Sequence, residues 1–240
     1  MASEYLKQKY KDVKPDVPRE LTKEEKRRNW WDYHKWYVAG GVVGVLILAS
    51  MIWDMAGRGQ PKPDYQVAYV GRELLPEDTV AALETAFASM GEDLNGDGQV
   101  VVRVRYYRRD PEGDASSVTA TEVQLIADVS ECESFIFLLE DPEAFQQSYH
   151  ALCYVDGTLP EEDDDSVDGV ALRWADCPAL AGLDLGRYDY DLLGGEFSGY
   201  NQELLSDVYV ARRGFWNSRD VQYQDGYLAF WDSIIAGAAA

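Results

Sequence analysis

Eighteen consecutive residues, Trp36 to Trp53 (WYVAGGVVGVLILASMIW), carry no charge, and this run limits what the chain can be more than any other feature. As an α-helix rising 1.5 Å per residue it would extend about 27 Å, close to the hydrocarbon thickness of a bilayer. Trp30, Trp31, Tyr33, Trp36 and Tyr37 lie at one end and Trp53 at the other, as expected of amphipathic rings at headgroup level. A buried core helix and a cleaved signal peptide are the rival readings. A signal peptide would need a charged leader of 35 residues, and its nearest cleavage site, Ala49-Ser50, would leave Met51, Ile52 and Trp53 on the mature end. No cysteine follows closely enough for a lipoprotein signal. The run therefore predicts a single-pass signal anchor in the plasma membrane, with the lipid bilayer as its first partner.

Charge sets the expected orientation. Residues 1–35 hold ten basic and seven acidic groups, whereas the chain from Arg58 onward holds 12 basic and 35 acidic. Arg27, Arg28 and Lys35 precede the span closely, and only Arg58 and Lys62 follow it. The positive-inside rule then predicts a cytoplasmic N-terminus and an acidic domain outside. The formal net charge of −21 speaks against a nucleic-acid partner, which requires clustered lysine and arginine. The expected organisation is a cytoplasmic segment at 1–35, a transmembrane helix at 36–55, a linker at 56–63 and an extracytoplasmic domain at 64–240. Lys7 to Arg19, with Pro15 and Pro18, should be extended or disordered. Thr22-Lys-Glu-Glu25 has the capping-box pattern, so a helix from about Lys23 could run directly into the span. Gly40 and Gly44 form a GxxxG pair, a candidate contact for a homodimer of helices.

Beyond the stiff Gln60-Pro61-Lys62-Pro63 spacer, strand and helix patterns alternate. Tyr65–Val70 is a strand pattern, and Pro76 opens a helix with Val80, Leu83, Phe87 and Met90 on one face. In the strand Gln99–Tyr107, Val100, Val102, Val104 and Tyr106 face opposite to Val101, Arg103, Arg105 and Tyr107. A second helix, Val118–Cys132, carries Val118, Leu125, Ile126 and Val129. Ser134–Leu139 is apolar throughout, as suits a strand buried on both faces, and Pro142 starts a third helix to about Leu152. Further strands are expected at Val170–Trp174 and Val208–Arg212, and an amphipathic helix around Tyr223, Tyr227, Trp231 and Ile234. Leu183–Tyr200 reads as surface loop. Strands joined by helix-length crossovers predict an α/β fold, a mostly parallel sheet with helices on both faces, preceded by one transmembrane helix.

The segment SFIFLLEDPEAF is similar to a strand–turn–helix of the type II solute-binding-protein fold, in which a buried strand ends in Asp-Pro. The succession KRRNWWDYHKWY, span, linker and PDYQVAYVG resembles uncharacterised single-pass membrane proteins of Gram-positive gut bacteria. The likeness covers roughly Lys23 to Leu152. It implies a lobe of the solute-binding-protein fold outside the membrane, and it implies no activity. About 180 residues are few for two full lobes.

Motifs that could carry chemistry are sparse. Asp93-Leu-Asn95-Gly-Asp97-Gly98 matches the first half of an EF-hand loop, making Asp93, Asn95 and Asp97 candidate ligands for Ca2+. The twelfth position is Val104 where an EF-hand has glutamate, and a tight turn explains the same residues. The acidic run Glu161–Asp165 is expected to be a solvated loop. His150 and Cys153 could form a nucleophile pair only if a scaffold aligned them, and no GxSxG, P-loop, HExxH or CxxC motif is present. Cys132, Cys153 and Cys177 are odd in number and are expected to be buried and apolar, although one disulfide would be compatible with an oxidising exterior. No catalytic residue is assigned. The leading expectation is a non-enzymatic domain that binds a small solute or a protein partner outside the membrane. The alternatives are an anchored cell-envelope hydrolase using two carboxylates, or a calcium-dependent dimeric scaffold.

Overall fold

A computed structural model of the protein describes residues 20–55, 62–109, 115–161, 166–192 and 195–238. Lys7–Arg19, the Gln60-Pro61 half of the spacer and residues 162–165 of the acidic run lie outside that set. The chain divides into two compact units, residues 1–60 and 61–240.

In the first unit, helix α1 runs unbroken over Lys23–Met55, 33 residues. The capping box closes as its pattern predicts: the Glu25 N–H donates to Thr22 Oγ1 (3.3 Å), and Glu25 Oε2 accepts from the Thr22 N–H (2.9 Å). Lys23–Trp53 is long and apolar enough to cross a membrane, and its apolar stretch is not buried within the protein. This is compatible with a single-pass membrane helix; a signal sequence near an N-terminus has the same length and composition.

The second unit is a mixed α/β fold. Its chain order is β1 (Tyr65–Gly71), α2 (Glu77–Ala88), β2 (Val102–Arg108), α3 (Ala115–Glu131), β3 (Ile136–Leu139), α4 (Pro142–Tyr149), β4 (Leu172–Arg173), α5 (Pro178–Ala181), β5 (Arg187–Leu192), β6 (Gly195–Tyr200), α6 (Asn201–Leu205), β7 (Tyr209–Arg212) and α7 (Gln224–Ile234). Five strands form the central sheet in the order β2-β1-β3-β7-β4. β1 pairs parallel with β2 from Tyr65↔Val102 to Gly71↔Arg108, and parallel with β3 from Val67↔Ile136 to Val70↔Leu139.

Residue alternation distributes the core over both faces. Tyr65, Val67, Tyr69, Val102, Ile136, Leu138 and Val210 meet Leu83 and Phe87 of α2 and Phe230, Trp231 and Ile234 of α7 on one side. Ala68, Val70, Tyr107, Phe137, Leu139 and Ala211 meet Leu125 and Val129 of α3 and Phe145 of α4 on the other. Helices thus cover both faces, as the crossover pattern predicts. Ile126, expected on the buried face of α3, is 48% exposed, because α3 turns Leu125, Asp128 and Val129 inward and leaves Ile126 to the side.

The sheet leans parallel, as expected, with one strand reversed, and one expectation changes. β7 runs antiparallel to β3 (Leu138↔Val210) and to β4, while β1, β2, β3 and β4 share one direction. The reason lies in the connection: after α4 no single crossover helix returns the chain, and a long excursion through β4, α5 and a hairpin lets β7 enter from the opposite end. Leu183–Tyr200, expected as loop, contains that hairpin, β5 and β6, paired from Arg187↔Tyr200 to Leu192↔Gly195.

Polar groups inside the fold are held by several partners. Asp128, 1% exposed near the end of α3, accepts from the Gln66 amide (3.0 Å), the Tyr107 hydroxyl (2.5 Å), and the Ser134 N–H (2.9 Å) and hydroxyl (2.7 Å). One carboxylate thereby ties α3 to β1, β2 and the approach to β3. Arg213, also 1% exposed, pairs with Asp220, donates to the Cys132 carbonyl, and lies among the rings of Phe135, Trp216 and Tyr227. Replacing Asp128 by Ala orphans these donors in the interior and should cost about 3–5 kcal/mol, read as a lowered denaturant midpoint of the full chain in detergent.

Candidate functional site: the crevice at the carboxyl ends of β1 and β3

β2 lies to one side of β1 and β3 to the other, while α2 and α3 pack on opposite faces. The loop after β1 therefore leads to α2 on one face, and the loop after its neighbour β3 leads to α4 on the other. A crevice opens where two adjacent strands send their chains apart, at their carboxyl ends, and open α/β sheets bind ligands at this switch point.

Two cavities meet there. The inner one, about 180 Å³, is lined by Val70, Gly71, Arg72, Arg109, Glu140, Asp141 and Ala144. The outer cleft, about 570 Å³, runs past Leu74, Leu75 and Pro76 between Arg72 and Arg108, with Asp189 of β5 on its wall. Arg72 borders both.

The inner walls are fixed by the backbone. Arg109 N–H donates to the Gly71 carbonyl (2.8 Å) and Glu140 N–H to the Val70 carbonyl (3.1 Å), extending the sheet by one step beyond each strand. Glu140 Oε1 accepts from the Tyr69 hydroxyl (2.7 Å) and Oε2 from the Arg72 N–H (2.9 Å). Gly71 is required by this packing, since a Cβ there would lie 2.5 Å from Glu140 Oε1 and 2.7 Å from the Tyr69 ring. Asp141 caps α4 by accepting from the Ala144 N–H (3.0 Å), and Pro142 occupies the first turn. Burial, and then the neighbouring Glu140 carboxylate, holds the Tyr69 phenol well above its usual range. Arg109 donates to Ser148 Oγ (2.8 Å), lies 5.9 Å from the centre of the Tyr149 ring, and keeps Nη1 buried without a hydrogen-bond partner.

The residues singled out in the sequence lie elsewhere. Asp93, Asn95 and Asp97 sit in the turn before β2, at the opposite end of the sheet. Asp93 accepts from the Gly96 and Gly98 N–H groups (2.6 and 2.7 Å), Asn95 from Asp97 (2.9 Å) and Asp97 from Gln99 (3.0 Å). The Gly96 and Gly98 bonds, Gly98 foremost, hold the Asp93 carboxyl below its usual range. Among the described residues no three His, Cys, Asp or Glu side chains are grouped to hold a metal. Gly40 and Gly44 lie on α1 with nothing within 4 Å of an added Cβ. Cys132, Cys153 and Cys177 are buried and unjoined. Cys153 Sγ points at the Arg212 and Arg213 carbonyls (3.8 and 3.6 Å), and burial raises its pKa, the reverse of what a nucleophile needs. His150 ends α4 in the left-handed conformation (φ 45°).

The crevice residues Tyr69, Arg72, Arg109 and Glu140 escaped the sequence reading. Their signals are a glycine closing a buried strand and Glu-Asp-Pro closing another. Gly71→Ala should displace Glu140 and lower stability by about 1–3 kcal/mol in denaturant titration, with overpacking as the cause. The thiols give a second expectation. Burial pushes Cys177 up to about 11 from 9.0, so the unfolded chain ionises first and stability should fall as pH rises from about 9 to 11. The half-buried Tyr227, raised by desolvation from 10.0 to about 12, adds to the same alkaline loss. Iodoacetamide at neutral pH should leave all three cysteines unmodified until denaturant is added. No family model, curated protein or solved structure matches this chain.

Proposed function

We propose that the chain is a membrane-anchored, non-enzymatic binding protein whose α/β domain, outside the membrane, takes a small solute in the crevice between β1 and β3. The observation that carries this reading is the meeting of two cavities at Arg72, at the point where the sheet connections diverge. The walls are held by main-chain bonds and paired side chains, as suits a largely pre-formed pocket. Glu140 and Asp141, the inner cavity's two carboxylates, each fix a backbone N–H, which favours a binding role over proton transfer to a substrate. The excess of Arg27, Arg28 and Lys35 before the span supports an outward-facing domain. Calcium at Asp93, Asn95 and Asp97, or helix pairing through Gly40 and Gly44, would be accessory to this role.

The test is saturation-transfer NMR of the full chain in nanodiscs against a mixture of small metabolites. Ala144→Trp, which fills the inner cavity from α4, should abolish the signals of bound metabolites while leaving the thermal midpoint within a few degrees. Bound signals undiminished in that variant would remove the crevice from consideration.

A further inference from the structure

Resting on the crevice reading, we infer that the ligand carries a single oxyanionic group, a carboxylate or a phosphate, on an apolar body, with Arg72 and Arg109 holding the anion. The chain from Arg58 onward has 35 acidic groups and only 12 basic ones, so carboxylates are in large excess over the guanidinium groups they could meet. Arg105 pairs with Glu133, Arg173 with Asp207, Arg213 with Asp220 and Arg219 with Glu131. Among the described residues the guanidinium groups of Arg72 and Arg109 form no ion pair, and both line the inner cavity. The two carboxylates beside them cannot readily serve. Glu140 is drawn to the Tyr69 hydroxyl and the Arg72 N–H, and Asp141 to the Ala144 N–H.

Arg109 is also pre-positioned. Ser148 and the Tyr149 ring fix it, and its Nη1 is taken from water without receiving an acceptor. A buried donor of this kind is costly unless something supplies the acceptor, and a guanidinium fork matches an oxyanion. The outer cleft then sets the rest of the molecule. Leu74, 70% exposed, continues with Leu75 and Pro76 as an apolar wall. Glu73, Glu77, Asp78 and Asp189 line the same cleft and repel a second negative charge at the far end. An anion at one end and an apolar body beyond it fits both cavities.

The experiment is calorimetric titration of the full chain, in nanodiscs of zwitterionic lipid, with four probes: phenylacetate, phenyl phosphate, benzylamine and benzyl alcohol. At least one anionic probe should bind, its identity separating carboxylate from phosphate, with the amine and the alcohol weaker by about tenfold or more. Arg109→Gln and Arg72→Gln should each lower that affinity by about tenfold, and Arg219→Gln should leave it unchanged. Equal binding of benzyl alcohol, or of no probe at all, overturns the anion assignment. If that binding is lost in Ala144→Trp, the crevice reading survives. Anion binding that persists in Ala144→Trp overturns both.

Discussion

The domain is organised around β1, a strand hydrogen-bonded on both edges and buried over all but Gln66 of its seven residues. A strand so placed cannot leave either face to water, and the requirement for two helical layers follows from it. Its ends have different tasks. At the amino end the buried Asp64 accepts from Leu94, Asn95 and Val101, drawing the turn before β2 against the sheet. At the carboxyl end Gly71 keeps the chain slim enough for Glu140 to cross over it. One end is closed by the chain's own carboxylate, and the other is left with guanidinium groups that meet none among the described residues.

How much of this could be read from residues alone depended on the range of the interactions involved. β1, β2, β3 and the helices between them were legible, because each is announced by local periodicity and by proline or glycine at its limits. The capping box at Thr22 and Glu25 was equally local. The direction of β7 was not legible, since Val208–Arg212 reads the same whichever end of the sheet it enters, and its partner β3 is some seventy residues earlier. The β5–β6 hairpin was hidden by glycine and charge that resemble loop. The crevice was hidden for a different reason. Arg72, Arg109 and Glu140 are ordinary residues far apart in sequence, and only the parallel pairing of β1 with both neighbours gathers them. The EF-hand-like segment shows the converse: a local pattern strong enough to attract attention, whose side chains satisfy their own turn.

Charge behaves differently in the two units. In α1 it is held to Lys23–Lys35 and to Asp54 in the last turn, with Trp36–Trp53 between them left bare. In the domain, acid predominates on the surface, while Arg213 is enclosed by aromatic rings and Asp128 by neutral donors. Both interior charges are stabilised locally, so neither depends on the sign of the surrounding field. Arg72 and Arg109, which line the inner cavity, meet no carboxylate among the described residues despite the acidic excess.

The three unjoined, buried thiols bear on where this domain can mature. No covalent cross-link contributes to its stability, so assembly requires no oxidant, no isomerase and no particular glutathione poise. Each sulfur is shielded once the core closes, so an oxidising surrounding has nothing to act on after folding, although it could trap the chain before then. The thiols of the domain should therefore be equally durable in air and under anoxia, with their vulnerability to oxidation confined to the interval before the core has formed.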